Sequence, residues 1–199
     1  WNQDAQGSLV NRNLPSLDRG RANFQEQAEI LAEAGCDLIL LEMMRNVEMS
    51  ALAIESAVSM GLPVWVGFTC RIDDSSQVRI GERLGYGDGP TFEQALQKLL
   101  PTGASLMAVM HTDVEQTSSA IEILQGSWNG PLGAYAHSSN MDRMDWQFED
   151  IISPQDYLTH AKGWVDMGVQ LIGSCCGTGP DHIRLLKDNL PDRIPTADR

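Results

Sequence analysis

Apolar residues along the chain alternate between two spacings. From Ser16 to Ala34 (SLDRGRANFQEQAEILAEA) they recur with helical periodicity and stop before Gly35, which predicts an amphipathic helix. DLILLE (37–42) is then a short continuous apolar run ending in an acid, and Val47 to Met60 returns to helical spacing before Gly61. The same strand-then-helix unit recurs as PVWVGFT (63–69) with a helix over 91–100, SLMAVM (105–110) with 113–125, PLGAYA (131–136) with 154–168, and VQLIGS (169–174) with 180–189. Polar stretches separate the units: a loop-like opening, the Gly-rich stretch after Thr69, and a long loop after Ala136.

Helix starts are marked as well. Thr112 and Glu115 have capping-box spacing, Ser153 precedes Pro154, and Thr178 and Gly179 precede Pro180. Continuous apolar strands alternating with amphipathic helices predict an α/β protein with a parallel sheet and right-handed crossovers. No linker divides the chain, so residues 1–199 read as a single domain. Periodicity alone leaves an open doubly wound sheet and part of a (β/α)8 barrel equally open. In both, function gathers at the C-terminal strand ends, which here carry Glu42, Thr69 with Cys70, His111, His137, and Cys175 with Cys176.

Composition narrows the classes. A net charge of −13 with no Lys/Arg cluster argues against nucleic acid and against anionic membrane surfaces as partners. No apolar stretch is long enough to span a bilayer, and WNQDAQGSLV lacks the layout of a signal peptide, so the expectation is a soluble, cytoplasmic protein. The chain starts at Trp1, which suggests a piece of something longer. The four cysteines, Cys36, Cys70, Cys175 and Cys176, are too few and too unevenly spaced for a secreted disulfide framework and read as reduced thiols.

The adjacent pair in LIGSCCGTGPDHI (171–183) carries the chemistry. Neighbouring strand residues point to opposite faces, so both thiols serve one site only where the backbone turns, and Gly173 and Gly177 bracket them. A disulfide between neighbours is strained, whereas a soft metal accepts both thiolates. Zinc, tetrahedral with N/S ligands, is the leading candidate, and His111 and Cys70 both stand where a third ligand could come from. A pair of buried core cysteines, or a redox use of vicinal thiols without metal, are the competing readings.

GSCCGTGPDHI resembles the signature of the zinc-dependent homocysteine S-methyltransferase family, to which betaine-homocysteine methyltransferase belongs. DLILLEMMRNVEMSALAI is similar to that family's fourth-strand segment, PVWVGFT to its fifth and PLGAYAHSS to its seventh, so the resemblance runs from about residue 14 to residue 190. It implies a (β/α)8 TIM-type barrel, of which this chain carries about strands four to eight, with zinc activating homocysteine. The first three strands of such a barrel are missing, which implies a fragment, or an open barrel whose free edges invite association into a homo-oligomer.

At the end of strand six the family places a cysteine ligand, and this chain has AVMH, with His111 there. The resemblance therefore implies a site of Cys175, Cys176 and His111, with Cys70 in reserve. Zn2+ with two thiolates is neutral, against minus one with three, so a bound substrate thiolate would be a weaker nucleophile. Glu42 matches the position that binds the substrate ammonium group, and as a carboxylate ending a buried strand it needs a partner, for which Arg71 is the alternative. Tyr135 and His137 are candidates to line the substrate pocket, His182 reads as packing, and the 81–90 stretch is a solvated loop or a lid. The implied activity is zinc-dependent methyl transfer from a small-molecule donor to homocysteine, giving methionine; the alternative is a barrel piece that binds zinc without turnover.

Overall fold

The structure, a computed structural model, describes residues 2–3, 9–10, 15–81, 89–138 and 150–192. In chain order its elements are β1 (Asn2–Gln3), β2 (Leu9–Val10), α1 (Leu17–Glu33), β3 (Ile39–Met44), α2 (Val47–Val58), β4 (Val64–Phe68), β5 (Cys70–Ile72), β6 (Val78–Ile80), α3 (Phe92–Leu99), β7 (Leu106–Asp113), α4 (Val114–Ser127), β8 (Leu132–His137), α5 (Pro154–Asp166), β9 (Leu171–Ile172) and α6 (Pro180–Asn189).

Five strands form one parallel sheet in the order β3-β4-β7-β8-β9. The order never reverses, so there is no switch point of the kind that defines a doubly wound sheet. The helices also keep to one face. The larger core joins the outward residues of the sheet, such as Val66, Phe68, Val109 and Ala134, to Ile54, Leu96, Ile121, Tyr157 and Trp164 from the helices. The smaller cluster on the opposite face holds only strand and strand-end residues: Leu106, Ala108, Met110 and Tyr135, flanked by Met43, Trp65, Leu171 and Cys175. An arc of sequential parallel strands with helices outside and side chains inside is barrel architecture. Among the described residues β3 and β9 each pair on one side only, and Leu40 is exposed on β3.

The helices begin where the sequence says they should, with one exception of detail. Ser16, Thr91 and Ser153 cap α1, α3 and α5 with their side chains, and Pro154 and Pro180 sit in the first turns of α5 and α6. The Thr112–Glu115 box does not form: β7 runs on to Asp113, which becomes the N-cap of α4 without a side-chain cap bond. Thr112 instead takes a hydrogen bond from Cys70 N at 3.0 Å and donates to Met110 O at 3.0 Å, bracing the strand end. The polar opening holds the antiparallel β1–β2 pair, and the stretch after Thr69 is not a plain loop. There β5 and β6 form a hairpin whose turn is organised by Asp73, which accepts from Ser75 N, Ser75 Oγ and Gln77 N. The CRI/VRI alternation around DDSSQ carries that hairpin in the sequence. Most of the 81–90 loop lies outside the described residues.

Candidate metal centre

Two local distortions bring the site together at the C-terminal rim of the sheet. The first is in β7. Its register against β8 is regular as far as Met110 opposite Tyr135, then resumes with Asp113 opposite His137, so β7 spends one residue more than β8. His111 absorbs the extra length with φ 44°, a left-handed conformation that costs a non-glycine residue about 1–2 kcal/mol.

The second is the turn after β9. The β8 ladder continues past Ile172 through Gly173 N to Ala134 O, Cys175 N to Ala136 O and Ser138 N to Cys176 O, each 3.0 Å. Gly177 then turns the chain at φ 78°, and Thr178 Oγ1 donates to Cys175 O at 2.6 Å. Only glycine takes that φ without strain, so Gly177→Ala should cost about 1–2 kcal/mol of stability, readable as a lower denaturant midpoint. If the strain is relieved by moving the two thiols apart, metal affinity should fall by roughly tenfold in parallel.

From below, Tyr157 on α5 donates to Gly173 O at 2.8 Å. On α6, His182 Nδ1 accepts from Gly179 N at 3.1 Å while its Nε2 meets Ile152 O at 2.9 Å. His182 thus has the packing role its sequence position suggests.

The result is a compact triangle. His111 Nδ1 stands 3.5 Å from Cys175 Sγ and 3.7 Å from Cys176 Sγ, and the two sulfurs are 3.8 Å apart. The thiols are free rather than joined. Tetrahedral ligands with bonds of about 2.0–2.3 Å have donor atoms about 3.5–3.8 Å apart, so the two-sulfur, one-nitrogen set fits zinc in both chemistry and spacing. His111 is buried and both cysteines are half-buried, so one side of the triangle remains accessible. Cys70 lies elsewhere: buried among helix-facing residues, it is not one of the grouped donors, and burial raises its thiol pKa strongly.

Burial, then the neighbouring Cys176, pushes the Cys175 thiol up to about 12, and Glu42 adds to the effect. The Tyr135 phenol is likewise raised, by burial first and then by Glu42 and Cys175. These influences place the Glu42 charge within reach of Tyr135 and Cys175 across the concave face. Glu42 itself is exposed on β3, so the expectation of a buried carboxylate in need of a partner does not hold. Tyr135 fills the space over Gly67, where a Cβ would come within 2.3 Å of the phenol oxygen. That oxygen is buried and has no hydrogen-bond partner among the described residues. His137 packs its ring on His111, with centroids 4.6 Å apart, and its Nε2 lies 2.8 Å from Asp113 Oδ1. Sequence reasoning missed Asp113; its signal was an acid two residues after the candidate ligand in MHTD.

The family described as homocysteine S-methyltransferase matches residues 6–190. The chain belongs to this family. Homocysteine S-methyltransferase 2 of Arabidopsis thaliana is 23% identical over 184 residues, covering 89% of this chain and 52% of that protein. The homocysteine S-methyltransferase of Escherichia coli K12 is 29% identical over 178 residues, covering 86% and 54%. Among solved structures, the metallated form of the homocysteine methyltransferase MmuM from Escherichia coli superposes with a TM-score of 0.66 at 23% identity, over 89% of this chain and 53% of that one. This likeness supports the barrel architecture. The chain spans about half the length of these family relatives. None of its described helices is long and apolar enough to cross a membrane.

Proposed function

We propose that this chain carries the metal-binding part of an enzyme that transfers a methyl group to the thiol of homocysteine, giving methionine, with Zn2+ as cofactor. The observation that carries the reading is the triangle of Cys175, Cys176 and His111, formed at the strand ends of a chain belonging to the homocysteine S-methyltransferase family. Support also comes from the related Escherichia coli protein, whose structure is described as a metallated form. Zinc held there would bind a thiol and favour its thiolate at neutral pH.

The protein's own groups do the rest. Glu42 offers its carboxylate to the ammonium group of the amino acid. Tyr135, whose phenol feels the charges of both Glu42 and Cys175, would line the space between them, with His137 packed against His111 beside it. Met110 and Tyr135 pack closely over Gly67, a rigid floor against which a substrate would be held in line for attack. The methyl group leaves a cationic donor, whose carbon–heteroatom bond breaks with the electron pair remaining on the donor as the new carbon–sulfur bond forms. Alignment is the larger share of the task here, because two thiolates and an imidazole leave the zinc site neutral and the bound sulfur correspondingly less nucleophilic.

Cobalt-substituted chain titrated with homocysteine tests this reading. A new thiolate-to-cobalt charge-transfer band that saturates with homocysteine and is absent with methionine is the expected result. A cobalt spectrum indifferent to homocysteine would sink it. Metal uptake should also release protons. Burial and the neighbouring Cys176 raise the Cys175 thiol above its ordinary value, which favours the protonated form at neutral pH, and that proton must leave for the sulfur to bind a metal. Apparent zinc affinity should therefore rise by at least about tenfold per pH unit between pH 6 and 8, and calorimetry in buffers of different ionisation enthalpy should register at least one proton released per zinc.

A further inference from the structure

We propose that His137, held by Asp113, is the positioning residue for His111: it fixes that imidazole with Nδ1 toward the two thiols without being a ligand itself. The inference rests on the zinc reading above and concerns how this chain's own residues shape the donor set.

Three observations converge on the pair. The extra residue in β7 that gives His111 its left-handed backbone is the same irregularity that brings Asp113 opposite His137, so one bulge produces both the candidate ligand and its support. Asp113 is the N-cap of α4, where a carboxylate usually accepts a hydrogen bond from the first turn of its helix. It makes no such bond. Its Oδ1 instead meets His137 Nε2 at 2.8 Å, and its Oδ2 accepts from Gln116 Nε2 at 3.3 Å. Gln116 in turn accepts from Ile72 N at 2.8 Å, which ties the carboxylate to the β5–β6 hairpin.

The third observation is the ring contact. His137 lies against His111 with the ring planes 52° apart, and is itself buried. Among the described residues its buried Nδ1 has no hydrogen-bond partner, so the Asp113 bond is the one that orients the ring there. A carboxylate oxygen has no proton to give, so Nε2 is the donor to Asp113 and the orientation of the His137 ring is set. His111 carries a strained backbone and presents one nitrogen to two sulfurs. The His137 ring blocks rotation of that imidazole on the side where the two rings meet. The contact that His137 makes with His111 is ring packing, and it acts on the face of the imidazole rather than on the nitrogen turned to the thiols.

The test uses the 199-residue chain as it stands, with zinc competition against a chromophoric chelator and the absorption spectrum of the cobalt form as readouts. His137→Ala should weaken zinc binding by about 10–100-fold and shift the cobalt ligand-field bands while leaving the two-thiolate charge-transfer intensity in place. His137→Phe restores a ring wall without the Asp113 bond and should recover part of the affinity. Asp113→Asn should fall between the parent and His137→Ala. Should His137→Ala fail to fold by circular dichroism, His137→Phe and Asp113→Asn decide the matter, because a purely structural role would not move the cobalt spectrum of a folded variant. Variants that bind zinc like the parent with superimposable cobalt spectra overturn the inference. If His111→Ala loses zinc while these variants do not, only the inference fails; if His111→Ala binds like the parent, the three-ligand reading fails and takes the inference with it.

Discussion

Cys176→Ala is expected to take the chain from about one bound zinc to almost none after dialysis against a weak chelator, with affinity reduced by at least about a hundredfold. In the proposed site three protein donors would hold the ion, and the Cys175 and His111 pair left behind, 3.5 Å apart, would chelate it too weakly to retain it. The fold should survive. Cys176 is half-buried on a turn that is tied down by backbone bonds, so its loss removes a donor without opening a cavity in the main core. Metal analysis beside far-UV circular dichroism separates the two effects. Zinc retained at full stoichiometry by a folded Cys176→Ala chain would remove Cys176 from the proposed site.

Trp164→Ala is the substitution expected to cost the most stability, about 3–5 kcal/mol, a large part of the roughly 5–15 kcal/mol typical of a folded domain. The indole is 1% exposed. It packs edge-on against Tyr157 at 5.7 Å between centroids and donates from Nε1 to Ser118 Oγ at 3.1 Å, joining α5 to α4. Removing it leaves a cavity and an orphaned hydroxyl, and it undercuts Tyr157, whose own hydroxyl holds Gly173 O beneath the cysteine turn. Urea denaturation should report the loss directly. Zinc affinity measured in the folded variant should also fall, though far less than in Cys176→Ala, because the damage reaches the donors only through Gly173. A stability change under about 1 kcal/mol would mean that α5 is less firmly docked than its burial implies.

Much of this was readable in the primary structure. The αβ alternation, the helix caps at Ser16, Ser153 and Gly179, and the pairing of Cys175 with Cys176 around a glycine turn all follow from local rules of spacing and backbone freedom. His111 was legible as a candidate donor because it follows an apolar strand, where the parallel sheet exposes its C-terminal rim. Where local reading failed, a longer-range contact had overruled it. Thr112 looks like a cap, but Cys70 N and Met110 O compete for its hydroxyl, and β7 extends three residues beyond the apolar run as a result. Glu42 looks buried because it follows DLILL, yet β3 lies at the edge of the described sheet, where a carboxylate keeps its water. Cys70 looks like a rim donor because it follows Thr69, but it begins a hairpin that turns its thiol into the helix-facing core.

The sequence by itself determined the elements, their order and the kinds of donor available, because periodicity, capping and glycine placement act over a few residues. Only the tertiary structure decided which donors meet. His111 and Cys175 are 64 residues apart in the chain, and their 3.5 Å approach depends on the register of β7, β8 and β9. The bulge that turns His111 and aligns Asp113 with His137 is a property of two strands together, written in neither alone. Register is set by the summed packing of both faces of the sheet, and a change of one residue redirects every side chain beyond it.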